Sequence, residues 1–149
     1  MFQEGLQRIV RDISALGGIT FAVLVFLFAL AFSWFDVARR LFFCIVASFF
    51  IAGMIRFVYF KDRPEPKRYK TVLQRLDASS FPSLHAARAG FLVLVLAEKV
   101  RTRFALVLMV VLAMLVCYSR VVRRRHDYVD VLAGLVLGVS LGVASLAWL

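Results

Sequence analysis

The sequence predicts an all-α fold, a bundle of about five membrane-spanning helices preceded by one amphipathic helix lying at the interface. Three observations predict it. The 149-residue chain is 62% hydrophobic with a mean hydropathy of +0.86, too apolar for an ordinary soluble domain of this size. Its apolar residues fall in five long, charge-poor runs, each near the roughly 20 residues that cross a bilayer. The polar residues gather in three short motifs between those runs.

Taken in order, residues 1–16 place Phe2, Leu6, Ile9, Val10, Ile13 and Leu16 at helical spacing, with Gln3, Glu4, Gln7, Arg8, Arg11 and Asp12 on the other face. This is the pattern of an interfacial helix. It differs from a signal peptide, because the following apolar run is long and lacks a small-residue cleavage site. The spans are expected at about 17–35, 41–60, 81–97, 104–119 and 129–149, with polar loops at 36–40, 61–80, 98–103 and 120–128. The chain 1–149 reads as one membrane-embedded domain. No repeat, low-complexity tract or linker divides it.

Five crossings put the N-terminus and the 61–80 and 120–128 loops on one side, so all three polar motifs share a face. Lys and Arg outside the spans are more numerous on that side. The positive-inside rule would place it in the cytoplasm, although arginines kept for chemistry bias the count. The net charge of +10, from 19 Lys and Arg against 9 acids, is scattered over short loops. Such a layout suits anionic membrane lipids and not a nucleic acid, for which no soluble domain is present to carry a footprint. Cys44 and Cys117 fall inside apolar runs and read as packing residues.

The chemistry lies in the motifs. His126 and Asp130 stand four apart at the start of the fifth span, where one helical face would let the carboxylate accept the Nδ1 proton and leave Nε2 as a nucleophile toward phosphorus. A purely structural His–Asp pair fits the same spacing. Ser80-Phe81-Pro82-Ser83-Leu84-His85 opens the third span, with Pro82 expected in its first turn. The free N–H groups of that turn and the Ser83 hydroxyl would form an anion cradle, with His85 as general acid. Arg56, Arg63 and Arg120 add guanidinium groups suited to phosphoryl oxygens. Arg56 interrupts the second span, so it is expected to face the bundle interior, snorkelling being the alternative. Among the acids, no oxygen-ligand cluster suggests a metal.

Arg56-x6-Arg63-Pro64, Pro82-Ser83-Leu84-His85 and Ser119-Arg120-x5-His126-x3-Asp130 resemble, in order, the three signature motifs of the type-2 phosphatidic acid phosphatase superfamily, which includes membrane lipid phosphatases and soluble vanadium haloperoxidases. The resemblance covers residues 56–138. It implies His126 as nucleophile, Asp130 as its orienter and His85 as leaving-group acid. Arg56, Arg63, Ser83, the backbone N–H of Leu84 and Arg120 are implied as phosphate ligands, with no cofactor. Two positions depart from the pattern: Arg56 replaces a lysine, and Leu84 stands where glycine is usual. A negative φ would make Leu84 acceptable.

The expected activity is metal-independent hydrolysis of a lipid phosphate or diphosphate through a phosphohistidine. The positive charge around the motifs points to a polyprenyl diphosphate. Phosphatidic acid or phosphatidylglycerol phosphate is the alternative substrate, phosphotransfer to a lipid acceptor the alternative reaction, and a non-catalytic phosphate-lipid-binding subunit the alternative class. Substrate is expected to come sideways from the bilayer, in the plasma membrane of a prokaryote. Gly134, Gly138 and Gly142 continue the four-residue spacing of His126 and Asp130, a stripe suited to close helix packing or to a homodimer.

Overall fold

The structure is a computed structural model, and it describes residues 2–65 and 69–149. Lys67 and Arg68 of the basic loop lie outside the described residues, as does the Phe2 side chain. Among the described residues seven helices follow one another: α1 (Phe2–Ala15), α2 (Ile19–Ala31), α3 (Phe35–Val58), α4 (Val72–Ala78), α5 (Leu84–Ala97), α6 (Arg103–Val122) and α7 (Tyr128–Trp148).

Three of them, α3, α6 and α7, are long and apolar enough to cross a membrane singly. A fourth crossing is made by α1 and α2 only if the pair, bent by 47° at Gly17 and Gly18, is taken as one broken span. Of the about five spans expected, some of them short, three qualify singly by length and composition. With 13 and 14 residues, α2 and α5 reach only about 20 Å at 1.5 Å per residue, short of the roughly 30 Å hydrocarbon core.

The shortness of α5 follows from its position. It is the central helix, packed on α2, α3, α6 and α7, and Ala86 through Leu92 are all buried. Its alanines and Gly90 let four neighbours approach, and a helix enclosed by protein need not match the bilayer. The outer helices instead point large apolar side chains outward. Phe50 on α3 is 66% exposed and Phe104 on α6 is 77% exposed, which only an apolar solvent makes favourable.

Two other boundaries differ from expectation. The 36–40 loop does not exist: the chain turns at residues 32–34, where Ser33 takes φ 57°, and Asp36, Arg39 and Arg40 lie in the opening turns of α3. There they serve the end of the bundle away from the motifs, Lys99 pairing with Asp36 at 3.0 Å and Arg40 with Glu98. The 61–80 loop contains α4, capped by Thr71, whose hydroxyl accepts the Gln74 N–H.

The glycine stripe of α7 is spent within the chain. A Cβ on Gly134 would lie 2.2 Å from the Ser83 carbonyl oxygen, and one on Gly138 would lie 2.0 Å from that of Ala87. Gly142 faces Leu94. The stripe brings the α7 backbone against α5, and its three glycines are buried there, the close helix packing that their spacing suits. Cys44 and Cys117 are free, buried packing residues.

Candidate active site

The three motifs converge on one cavity of ≈ 440 Å³ at one end of the bundle. Its lining includes Arg56, Arg63, Leu84, His85, Arg88, Arg120 and His126, with Gly18, Ile19, Thr20, Phe49 and Asp77 completing it.

The backbone frame of this cavity is set by the junction of α5 and α7. Ser83 is the N-cap of α5, and its N–H donates to the Asp130 carbonyl at 3.0 Å. Pro82 precedes the helix, correcting its expected place in the first turn, because Ser83 in extended conformation is the N-cap and α5 begins at Leu84. The first intrahelical bond of the turn runs from Ala87 N to Ser83 O, so the N–H groups of Leu84, His85 and Ala86 point out of the helix end as donors. Positive φ among described non-glycine residues occurs at Ser33 and Arg124, so Leu84 is in an ordinary helical conformation that leucine tolerates.

Arg56 is buried, and all three of its nitrogens donate to carbonyls: Nε to Phe81 at 3.3 Å, Nη1 to Leu76 at 3.2 Å and Nη2 to Pro82 at 2.9 Å. It faces inward, as the sequence implied, and does not snorkel. It thereby ties α3 to the turn of the second motif at Phe81 and Pro82 and to α4 at Leu76.

His126 differs from expectation in its partner. Its Nδ1 lies 2.7 Å from the Ser80 carbonyl, which can only accept, so Nδ1 carries the proton and Nε2 the lone pair. Asp130 Oδ2 is 3.8 Å from Nδ1, beyond hydrogen-bond range. The helical i,i+4 argument fails because α7 begins at Tyr128, after His126. Asp130 is otherwise engaged: it accepts the Asp127 N–H at 3.1 Å while Asp127 accepts the Asp130 N–H at 2.9 Å, a reciprocal capping box, and it takes Lys61 Nζ at 2.8 Å. The tautomer intended for the carboxylate is thus delivered by a backbone carbonyl, with Asp130 as a nearby negative charge.

Burial, then the Arg120 guanidinium, push the His126 pKa down to about 3, so the ring is neutral at physiological pH. Burial likewise lowers that of Arg63, leaving it cationic. Burial opposes the Lys61 ammonium, but hydrogen bonds to Asp127 and Asp130 outweigh it and raise its pKa. For Asp127, burial raises the pKa while the Lys61 bond prevails and lowers it. Lys61, expected from sequence as part of the basic charge around the site, is instead paired with Asp127 and Asp130 and ties the first motif's loop to the third motif's helix.

The turn carrying His126 ends α6. Arg124 N donates to Val121 O at 2.9 Å and Arg125 N to Arg120 O at 3.1 Å, the two bonds of a Schellman cap, with Arg124 at φ 51° where glycine is usual. Arg120 itself donates to Ser14 Oγ at 2.7 Å, which fastens α1 to the site. Arg63 donates to the Asp77 carbonyl.

Sequence reasoning passed over Arg88. It lies on α5 one turn beyond His85, is 3% exposed, donates to the Gly17 carbonyl at 3.2 Å and lies over the Phe49 ring at 4.9 Å. The signal was present, since an arginine within an apolar run had singled out Arg56 and applies equally here.

Among the described residues, five buried side-chain polar atoms lack a partner: Nε of Arg63, Arg88 and Arg120, which line this cavity, Oγ of Ser83, the residue before the lining Leu84, and Nε of Arg40 elsewhere. Unmet donors buried beside a cluster of guanidinium groups are costly unless an anion completes them. A helical membrane bundle that holds such a site beside a neutral, tautomer-fixed histidine defines a phosphatase acting on membrane lipids.

The profile of the PAP2 superfamily matches residues 37–149, and the chain belongs to that superfamily. It is a phosphoric-ester hydrolase of the lipid phosphatase kind. The crystal structure of Aquifex aeolicus LpxE is similar, with a TM-score of 0.78 over 96% of this chain and 86% of that one; at 20% identity the likeness speaks for the fold. No curated protein matches the sequence.

Proposed function

We propose that the protein hydrolyses a polyprenyl diphosphate through a phosphohistidine at His126, in the plasma membrane of a prokaryote. The observation that carries this reading is the ring of unmet donors around one cavity, with four arginines, more positive charge than a single phosphate requires. In the first step Nε2 of His126 bonds to the terminal phosphorus while the bond to the bridging oxygen breaks. His85, protonated when the anionic diphosphate binds beside it, gives that proton to the bridging oxygen, and the polyprenyl monophosphate leaves. In the second step water attacks the phosphohistidine, His85 takes a proton from the water, and inorganic phosphate departs from Nε2. Arg63, Arg120, Ser83 Oγ and the α5 N–H groups stabilise the charge on the transferring group, while Arg56 holds the turn that presents them.

A second, apolar cavity of ≈ 180 Å³ between α2, α5 and α6, lined by Leu16, Phe21, Leu92, Leu96, Met109 and Val116 among others, has room for only the start of such a tail, the rest of which would run into lipid. It lies across the Gly17–Gly18 break from the phosphate cavity, which supports a substrate with its head among the arginines and its chain toward lipid.

The test is phosphate release from a panel of polyprenyl diphosphates, phosphatidic acid and phosphatidylglycerol phosphate in detergent, with acid-quench trapping of the labelled enzyme. Fastest turnover of the diphosphate and label on His126 are expected. Equal or faster turnover of a glycerophospholipid overturns the substrate, and absence of label during turnover at a rate that hydrolysis limits overturns the intermediate.

A further inference from the structure

Resting on the diphosphate reading, we infer that Arg88 holds the phosphate that remains on the leaving group, making α5 a two-phosphate ruler. No signature motif contains Arg88, yet it lines the same cavity as His85 and His126. Three residues separate it from His85, which on a helix places it about 4.5 Å further along the axis on nearly the same face. That direction leads away from the open helix end, toward the bundle interior and the apolar cavity: the next residue, Ala89, lines the latter.

When Nε2 of His126 attacks the terminal phosphorus, the bridging oxygen must face His85. The second phosphorus then lies beyond that oxygen, on the tail side, where Arg88 stands. The other cavity arginines have other tasks: Arg56 is committed to three carbonyls, and Arg63 and Arg120, anchored to the Asp77 carbonyl and to Ser14, serve the transferring phosphoryl group.

Arg88 is held by weaker means. A carbonyl at 3.2 Å and an aromatic face at 4.9 Å anchor it, neither carrying a full negative charge, and its buried Nε has no partner. A guanidinium 97% buried with those contacts is incomplete, and an anion at the Nε edge completes it. The Arg88 contact strengthens as the bridging oxygen's charge shifts to the departing monophosphate, so it serves the reaction of a diphosphate and has no counterpart with a monophosphate, whose leaving group is an alcohol.

The experiment compares farnesyl diphosphate with farnesyl monophosphate, the same tail with one phosphate removed, on wild type, Arg88→Gln, Arg88→Lys and Arg88→Leu in detergent. The expected result is a loss of about 100-fold or more in kcat/KM on the diphosphate for Arg88→Gln, against less than about fivefold on the monophosphate, with partial recovery for Arg88→Lys. Arg88→Gln keeps an amide to meet the Gly17 carbonyl, so it gives the ratio even if Arg88→Leu does not fold. A purely structural Arg88 would lower both substrates alike, and an unchanged ratio in a wild type that prefers the diphosphate overturns this inference alone. A wild type that prefers the monophosphate overturns the diphosphate reading together with it.

Discussion

Gly134→Ala is the sharpest single perturbation that the fold offers. The added methyl would lie 2.2 Å from the Ser83 carbonyl oxygen and 3.0 Å from its carbonyl carbon, and both are backbone atoms. Ordinary contact begins at 3.4 Å, so α7 and α5 must part by about 1.2 Å at this point, 3.4 less 2.2. Alanine's better helix propensity returns about 1 kcal/mol, while overpacking costs about 1 to 3 kcal/mol, so the net loss of stability is small. The catalytic loss is not. Ser83 caps the anion-binding turn and its N–H bonds Asp130, so the separation moves the cradle relative to His126. A misplacement near 1 Å costs on the order of 100-fold in rate. Phosphate release by purified variants in detergent, with thermal unfolding in parallel, measures both. Gly142→Ala meets only the flexible Leu94 side chain, and Gly53→Ala meets nothing within 4 Å; both should retain activity. Gly134→Ala with kcat within threefold of wild type would refute the reasoning.

Further expectations concern the chemistry and the turns. His126→Ala should lose essentially all turnover while remaining folded, and retention of a tenth of the activity excludes His126 as nucleophile. Because the folded-state pKa of His126, about 3, lies below its unfolded value near 6.5, the unfolded chain binds the extra proton as pH falls through that interval. Stability is therefore full above pH 6.5 and should fall by about 2 kcal/mol between pH 6.5 and 5, a loss that His126→Phe should lack on thermal unfolding. Arg56→Lys should fall about tenfold or more in kcat, since one ammonium cannot span the carbonyls of Leu76, Phe81 and Pro82; wild-type kinetics would show that charge alone suffices. Arg124→Gly should stabilise by about 1 kcal/mol by relieving the left-handed cap position, read from the unfolding midpoint.

Class and site were both legible in the sequence, for different reasons. The apolar runs gave a helical bundle because a bilayer leaves few other structures, and the motifs placed His126, His85 and the arginines in one cavity because each motif borders a span end. Span lengths were less legible, since hydropathy cannot tell lipid from protein as the surroundings of an apolar helix, and α5 is wrapped in protein. The partner of His126 was hidden for another reason: it is the Ser80 carbonyl, and every residue has a carbonyl. Asp130 held the eye because its side chain is distinctive, while the helix start two residues after His126 redirected it to the cap and to Lys61.

Two of the four cavity arginines take their anchor from the N-terminal part of the chain, Arg120 from Ser14 and Arg88 from Gly17. Those anchors precede residue 37, where the match to the superfamily begins. The matched region holds His126, His85 and the first turn of α5, while the segment before it anchors two of the guanidinium groups. Substrate preference in such a protein can drift without touching any signature motif, by changes in a helix pair that precedes the region the superfamily profile matches. A chimera that grafts residues 1–36 onto a relative's catalytic region would transfer selectivity while leaving the chemistry in place.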